Sequence, residues 1–189
     1  MKPLILSFPW DGDAPQRLAN ELDLEHRPFD LHRYPDGEIL VTGPESAPPA
    51  VILYCSLFEP NEKLVALMLA ADALRRAGAA RIVLVSPYMS YMRQDIAFEV
   101  GQAVSQQAVG KFLSGLFDRI LTVDAHLHRT PEISDVFPGA EAENLIAAEL
   151  IADYAAMKGF DLDALVVGPD RESRQWVARV ADRLGGDIA

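Results

Sequence analysis

The 189 residues carry a formal net charge of −11 at pH 7, and half of them are hydrophobic. That length and apolar content suit one domain, or one and a half, with a sizeable core, and Pro and Gly are too few for a disordered chain. The acidic balance argues against non-specific nucleic-acid binding, which needs a basic face, but allows an anionic small ligand in a locally positive site. The single cysteine, Cys55, excludes an internal disulfide and points to a reducing cytoplasm. Met1-Lys2-Pro3 leads into only a short apolar run, so no signal peptide is expected. No stretch approaches the roughly 18 apolar residues of a membrane span.

Leu4 to Phe8 predicts a first strand, and Asp11 to Leu22 a short helix in which Pro15 fits only the first turn. Phe29 to His32 predicts a second strand. It runs into Arg33-Tyr34-Pro35-Asp36-Gly37-Glu38, where Pro presets one dihedral and Asp-Gly closes the turn, and then into a strand at Ile39-Leu40-Val41. This hairpin projects two carboxylates, Asp36 and Glu38; taken alone, it reads as a solvated turn. Val51 to Cys55 predicts a buried strand, with Cys55 as a small core residue. Asn61 is a candidate cap for a helix to about Ala77, whose apolar positions from Leu64 to Leu74 follow helical period. Arg75 and Arg76 suit the negative end of its dipole, and Gly78 suits the position just beyond it.

Ile82 to Val85 predicts the next strand and Ala103 to Leu116 the next helix. Ile120 to Val123 follows as a strand, Thr130 to Gly139 as irregular chain, and Glu141 to Lys158 as an alanine-rich helix ended by Gly159. Leu165 to Val167 predicts a short strand, and Glu172 to Leu184 the last helix, with Asp170 as a possible cap and Gly185-Gly186 as its stop. Ile188 can begin another strand. Strands alternate with helices, which implies an α/β domain with a mainly parallel sheet and right-handed crossovers.

In such a sheet, ligands sit at the carboxyl ends of the strands. Three predicted strands end in polar groups: Val85 before a loop with Arg93, Gln94 and Asp95; Val123 before Asp124 and His126; Val167 before Asp170. A fixed cation, an amide, carboxylates and two phenols (Tyr88, Tyr91) suit a phosphorylated aromatic ligand such as a nucleotide. Two carboxylates and an imidazole beside a phosphate suit Mg²⁺, which prefers oxygen ligands and keeps several waters. The plainer readings are a surface loop with an Arg–Asp pair, and Asp170 as a helix cap. His126 and His128 lack zinc-motif spacing. There is no Walker loop, no G-x-G-x-x-G and no G-x-S-x-G elbow.

Several stretches, in order, resemble the ribose-phosphate pyrophosphokinase family. Arg33 to Glu38 resembles its R-F-P-D-G-E loop, Pro60 to Leu64 and Asp72 to Ala77 its P-N-D-x-L and D-A-L-R-R-A helix, and Pro87 to Asp95 its P-Y-x-x-Y-x-R-Q-D loop. Asp124-Ala125-His126 resembles D-L-H, and Gly168-Pro169-Asp170 resembles S-P-D. The resemblance implies a phosphoribosyltransferase-type α/β domain over residues 1–160 and the start of a second, similar half over 161–189. It implies pyrophosphoryl transfer from Mg²⁺-ATP to ribose 5-phosphate in the cytoplasm, in a homo-oligomer, either a dimer or a dimer-based hexamer, with no nucleic acid or membrane partner.

Carried over, Arg93, Gln94 and Asp95 would contact ATP, and Tyr34, Asp36 and Glu38 would reach a neighbouring subunit's ATP. His126, Asp170 and Asp124 would serve the Mg²⁺ site. Tyr34 stands where Phe is usual, Gly101-Gln102 where Gly-Glu is common, and Arg171-Glu172-Ser173 departs from the glycine-rich loop after S-P-D. The family's catalytic Lys and Arg loop and its acidic ribose-phosphate loop have no counterpart in these residues. Residues 1–189 are therefore expected to be a truncated N-terminal part that makes little or no product alone. A non-catalytic, synthetase-like regulatory subunit is the alternative reading.

Overall fold

A computed structural model of the chain describes residues 2–160 and 165–189. Its contacts divide it into two compact units, Met1–Asn144 and Leu145–Ala189. The domain boundary read at 160/161 abuts residues 161–164, outside the described residues.

The first unit is built on a six-stranded sheet in the order β2-β1-β5-β6-β7-β8. These strands are β1 (Leu4–Ser7), β2 (Glu25–Pro28), β5 (Ala50–Tyr54), β6 (Arg81–Ser86), β7 (Arg119–Val123) and β8 (Glu141–Leu145). The pairs β1–β2, β1–β5, β5–β6 and β6–β7 are all parallel. A separate antiparallel hairpin joins β3 (Asp30–Arg33) to β4 (Ile39–Thr42) across the Asp36-Gly37 turn, where Gly37 takes φ 94°.

Alternation along the strands gives the sheet two faces. Leu4, Leu6, Val51, Leu53, Ile82, Leu84 and Ile120 point into the main core. There they meet Ala66, Leu67, Ala70, Ala71 and Leu74 of α2 (Pro60–Arg76), Leu113 of α3 (Ser105–Ser114), and Phe117 and Phe137. Ile5 and Tyr54 face the other way and pack with Ala19 of α1 (Ala14–Leu22). Pro15 falls in the first turn of α1, the position the sequence allows it. Beyond α2, Gly78 adopts φ 102°, as a residue just past a helix end does.

Two edge strands depart from the sequence reading. β2 has the sequence Glu-His-Arg-Pro and is mostly exposed, so it shows no apolar signal. β8 occupies the start of the segment read as one helix from Glu141 to Lys158. That segment is a strand followed by α5 (Ala148–Met157). Across-strand charge explains it: Glu141 pairs with Arg81 at 2.8 Å, and Glu143 pairs with Arg119. A further short helix, α4 (Ile133–Val136), lies in the stretch read as irregular. Its carbonyl at Val136 packs against Gly110 of α3, where an added Cβ would lie 2.0 Å from that oxygen.

In the second unit, α5 packs on α6 (Arg174–Leu184), and β9 (Leu165–Val166) pairs in parallel with β10 (Asp187–Ile188). β9 therefore belongs to a separate sheet from β6 and β7. Among the described residues no helix is long and apolar enough to cross a membrane.

Candidate functional site

A cleft of about 650 Å³ opens at the carboxyl ends of β5, β6 and β7. Three loops line it: residues 57–61 after β5, residues 88–94 after β6, and residues 123–126 after β7, with Ser105 at the start of α3. The parallel sheet dictates this position, since strands of one direction release all their following loops on one edge. Arg93 and Gln94 thus share a cleft with Asp124 and His126, although the two pairs lie about 30 residues apart in sequence.

The wall formed by residues 57–61 is fixed from below by two opposite charges. Asp11 accepts from the Ser56 backbone N–H at 2.9 Å, while the Lys63 ammonium donates to the Ser56 carbonyl at 2.7 Å. Burial raises the Asp11 carboxyl above its ordinary range, against the opposing effect of hydrogen bonds from the Ser56 and Phe8 amides. Asn61 is not the cap of α2. Pro60 occupies the first turn, where its fixed φ and missing N–H are harmless, and Glu59 is the cap residue. The Asn61 side chain instead accepts the Tyr91 hydroxyl, tying the first wall to the second.

The wall formed by residues 88–94 is held mainly by its own backbone and by amides. Leu57 N–H donates to the Tyr88 carbonyl at 2.9 Å, and Val123 N–H to the Pro87 carbonyl at 3.2 Å. Ser105 Oγ donates to Gln94 Oε1 at 2.9 Å. Gln102 Oε1 accepts from the amides of Phe98 and Glu99 at 3.1 and 3.3 Å, which folds the 96–102 loop onto itself. A glutamate at that position could accept the same two bonds. Arg93 is exposed.

On the third wall, Asn144 Oδ1 accepts from the Ala125 N–H at 2.9 Å and fixes the chain between Asp124 and His126. The His126 and His128 rings meet edge to face at 3.7 Å. Three non-glycine residues with positive φ line this one cleft: Glu59 at 51°, Tyr91 at 61° and Asp124 at 46°. Each such conformation costs on the order of 1 kcal/mol, and such strain clusters where a ligand is gripped.

The remaining sequence-predicted residues lie elsewhere. Asp95 is buried at 7% exposure, does not line the cleft, and pairs with Arg129 at 2.9 Å. Tyr34, Asp36 and Glu38 sit on the exposed hairpin and do not line the cleft of their own unit. Asp36 accepts from the Glu38 amide at 3.1 Å, Tyr34 meets His32 edge to face at 4.7 Å, and Arg33 pairs with Glu62 of α2. Asp170 belongs to the second unit, where its carboxylate accepts from the Ser173 N–H at 2.9 Å as a cap. Burial and the nearby Asp11 charge push the Cys55 thiol up to about 12, so it is no nucleophile at neutral pH.

Among the described residues no three His, Cys, Asp or Glu side chains gather as a ready metal cage. The donors at the cleft, Asp124 and His126, still fit Mg²⁺, which is commonly held by one or two carboxylates, waters and substrate phosphates. Sequence reasoning missed Asn61, Glu59, Ser105, Asn144 and Arg129. The partners of Asn61, Asn144 and Arg129 lie 30, 19 and 34 residues away along the chain, and the fold brings them together.

Residues 5–116 match the N-terminal domain of ribose phosphate pyrophosphokinase. The ribose-phosphate pyrophosphokinase of Methanopyrus kandleri is 39% identical over 171 residues, covering 90% of this chain and 57% of that protein. That of Pyrococcus furiosus is 31% identical over 177 residues, covering 92% and 61%. The crystal structure of phosphoribosylpyrophosphate synthetase from Mycobacterium smegmatis superposes with a TM-score of 0.82 at 28% identity, over 100% of this chain and 63% of that one. The chain thus spans little more than half the length of these proteins.

Proposed function

The chain belongs to the ribose-phosphate pyrophosphokinase family, and from that membership we propose that its first unit is the ATP side of an enzyme making phosphoribosyl pyrophosphate. In that reaction the anomeric oxygen of ribose 5-phosphate attacks the β-phosphorus of ATP. The bond from that phosphorus to the α,β-bridging oxygen breaks, AMP leaves, and the sugar hydroxyl gives up its proton. The observation that carries the reading is the single cleft holding Arg93 and Gln94 across from Asp124 and His126.

Each group has a role in that cleft. Arg93 offers a fixed positive charge and a donor fork to phosphate oxygens. Gln94, oriented by Ser105, offers an amide for the base or sugar. Asp124 and His126 would hold Mg²⁺ or its waters. When bound, the ion neutralises phosphate charge as the leaving group departs. No side chain here needs to act as a nucleophile, because phosphoryl transfer is catalysed chiefly by positioning and electrostatics. Tyr34, Asp36 and Glu38 would serve the ATP of a neighbouring subunit in a dimer or dimer-based hexamer; their exposure on a hairpin away from their own cleft supports this. The 189 residues alone would bind nucleotide yet form little product, since more than a third of each relative's length has no counterpart in them.

Calorimetric titration of this chain with ATP, with and without Mg²⁺, tests the proposal. Magnesium-dependent binding should weaken about tenfold or more in His126→Ala and Arg93→Ala, the scale of one lost charge-assisted contact. Absence of ATP binding in both conditions would contradict it.

A further inference from the structure

The walls after β6 and β7 are joined just outside the cleft by side chains that touch no ligand position. Asp95 follows Arg93 and Gln94, and its side chain is buried at 3% exposure. Its Oδ1 takes the Arg129 guanidinium at 2.9 Å, while Oδ2 is sealed with no hydrogen-bond partner among the described residues. Arg129 is half exposed, and its guanidinium also lies 5.8 Å from the Phe98 ring. Beside this pair a second bridge runs through Gln106, itself buried at 3%. Gln106 takes the Thr130 hydroxyl at 2.8 Å, its Nε2 reaches the Met92 carbonyl at 3.4 Å, and its own amide donates to the Gln94 carbonyl at 3.1 Å.

We propose that Arg129 is a positioning residue: its ion pair with buried Asp95 latches the loop bearing Asp124 and His126 to the loop bearing Arg93 and Gln94. The functional consequence rests on the nucleotide reading above. The physical reason is one of alternatives. A buried carboxylate has one strong partner here, and losing it leaves an uncompensated charge that is relieved only by moving the loop toward water. Each wall carries one strained residue, Tyr91 or Asp124, so a loosened latch lets both relax away from the geometry that faces the ligand. Asp95 therefore acts on the site through Arg129 and not by contact with ATP. That role suits its burial better than the contact expected from the sequence.

The test combines two readouts on the whole 189-residue chain. Hydrogen exchange of Arg129→Ala should accelerate about tenfold in residues 88–95, a loop that does not contain the substitution, and leave α2 unchanged. Mg²⁺-ATP should bind about tenfold more weakly, the scale of one coupled contact. Arg129→Lys, which keeps the charge but loses the guanidinium fork, should fall between wild type and Arg129→Ala in both. If Arg129→Ala does not fold, Arg129→Gln, which keeps much of the side chain's bulk but leaves the Asp95 carboxylate without its cation, decides in its place and should show the same loop acceleration. Unchanged exchange in residues 88–95 of a folded variant would overturn the latch. Accelerated exchange with unchanged ATP affinity would overturn its positioning role. A wild-type chain that binds no ATP would sink the nucleotide reading instead, and with it the positioning role, while the exchange result still decides whether the latch exists.

Discussion

The two units of this chain bury their residues in different ways. The first spreads leucine, isoleucine, valine and phenylalanine over both faces of a six-stranded sheet, and Phe8, Leu53, Leu67, Leu84 and Phe137 lose essentially all contact with water. In the second, the described apolar residues that are buried are Ala148, Ala152, Val177 and Ala181, while Leu150, Tyr154, Met157, Leu165 and Val167 stay exposed. Small side chains release little apolar area, at roughly 25 cal/mol per Å², and a sheet of two short strands is marginal by itself. The difference teaches where rigidity resides. A cleft lined by strained backbone needs the first kind of support, and the cleft lies wholly within the first unit.

The sharpest way to break this contrast is to overpack each unit's core or hollow it out. Gly110→Ala drives a methyl into the Val136 carbonyl, which is backbone and has no rotamer to yield. It should cost about 3 kcal/mol in urea denaturation of the first unit's transition. Val177→Ala in the second unit should cost only about 1 kcal/mol and leave that transition in place. The Cys55 thiol reports on the first unit directly, because it is fully buried and should react with a disulfide reagent only on unfolding. Equal losses from the two substitutions would erase the distinction.

A smaller effect follows from Asp118, which holds the starts of β6, β7 and β8 together. Its carboxylate accepts from the Ile82 N–H at 2.6 Å and from Arg75 at 2.7 Å, while its backbone carbonyl accepts from the Glu141 N–H at 3.0 Å. Burial pushes this carboxyl upward, but the Ile82 amide and Arg75 outweigh it, and the net shift is below the ordinary value of 3.8. A depressed folded value means that the charged form is the stabilising one. Its contribution is complete above about pH 5, roughly a unit over the unfolded value, and disappears as the pH falls through the folded value. Asp118→Asn should lower stability at neutral pH by about 1 kcal/mol, less than a buried hydrogen bond to a charged group gives because the carboxylate is partly exposed and screened, and flatten the acid limb of the stability profile. An unchanged acid limb would show that other carboxylates carry it.

Much of this was legible in the residues. The alternating strand and helix pattern gave the parallel α/β sheet, the Asp-Gly turn gave the hairpin, and the polar loops after Val85 and Val123 gave two walls of one cleft. What sequence reading missed has physical causes. β2 is polar because an exposed edge strand has no apolar face to show, and β8 hides its alternation because its outward residues are glutamates bound to arginines on other strands. Val167 reads like a third wall strand, yet among the described residues β9 pairs with β10 in a sheet of its own, a choice that strand order makes and local sequence does not. Asp95 stands beside Arg93 in the loop motif, but the arginine that claims it lies 34 residues away.

Photoaffinity labelling with an azido-adenine analogue of ATP in Mg²⁺, followed by peptide mapping, most directly tests the central claim that the first unit's cleft holds the nucleotide. The label should fall on residues 57–61, 88–94 or 123–126, be competed by ATP, and be lost in Arg93→Ala. Labelling confined to the second unit, or insensitive to ATP, would contradict the account.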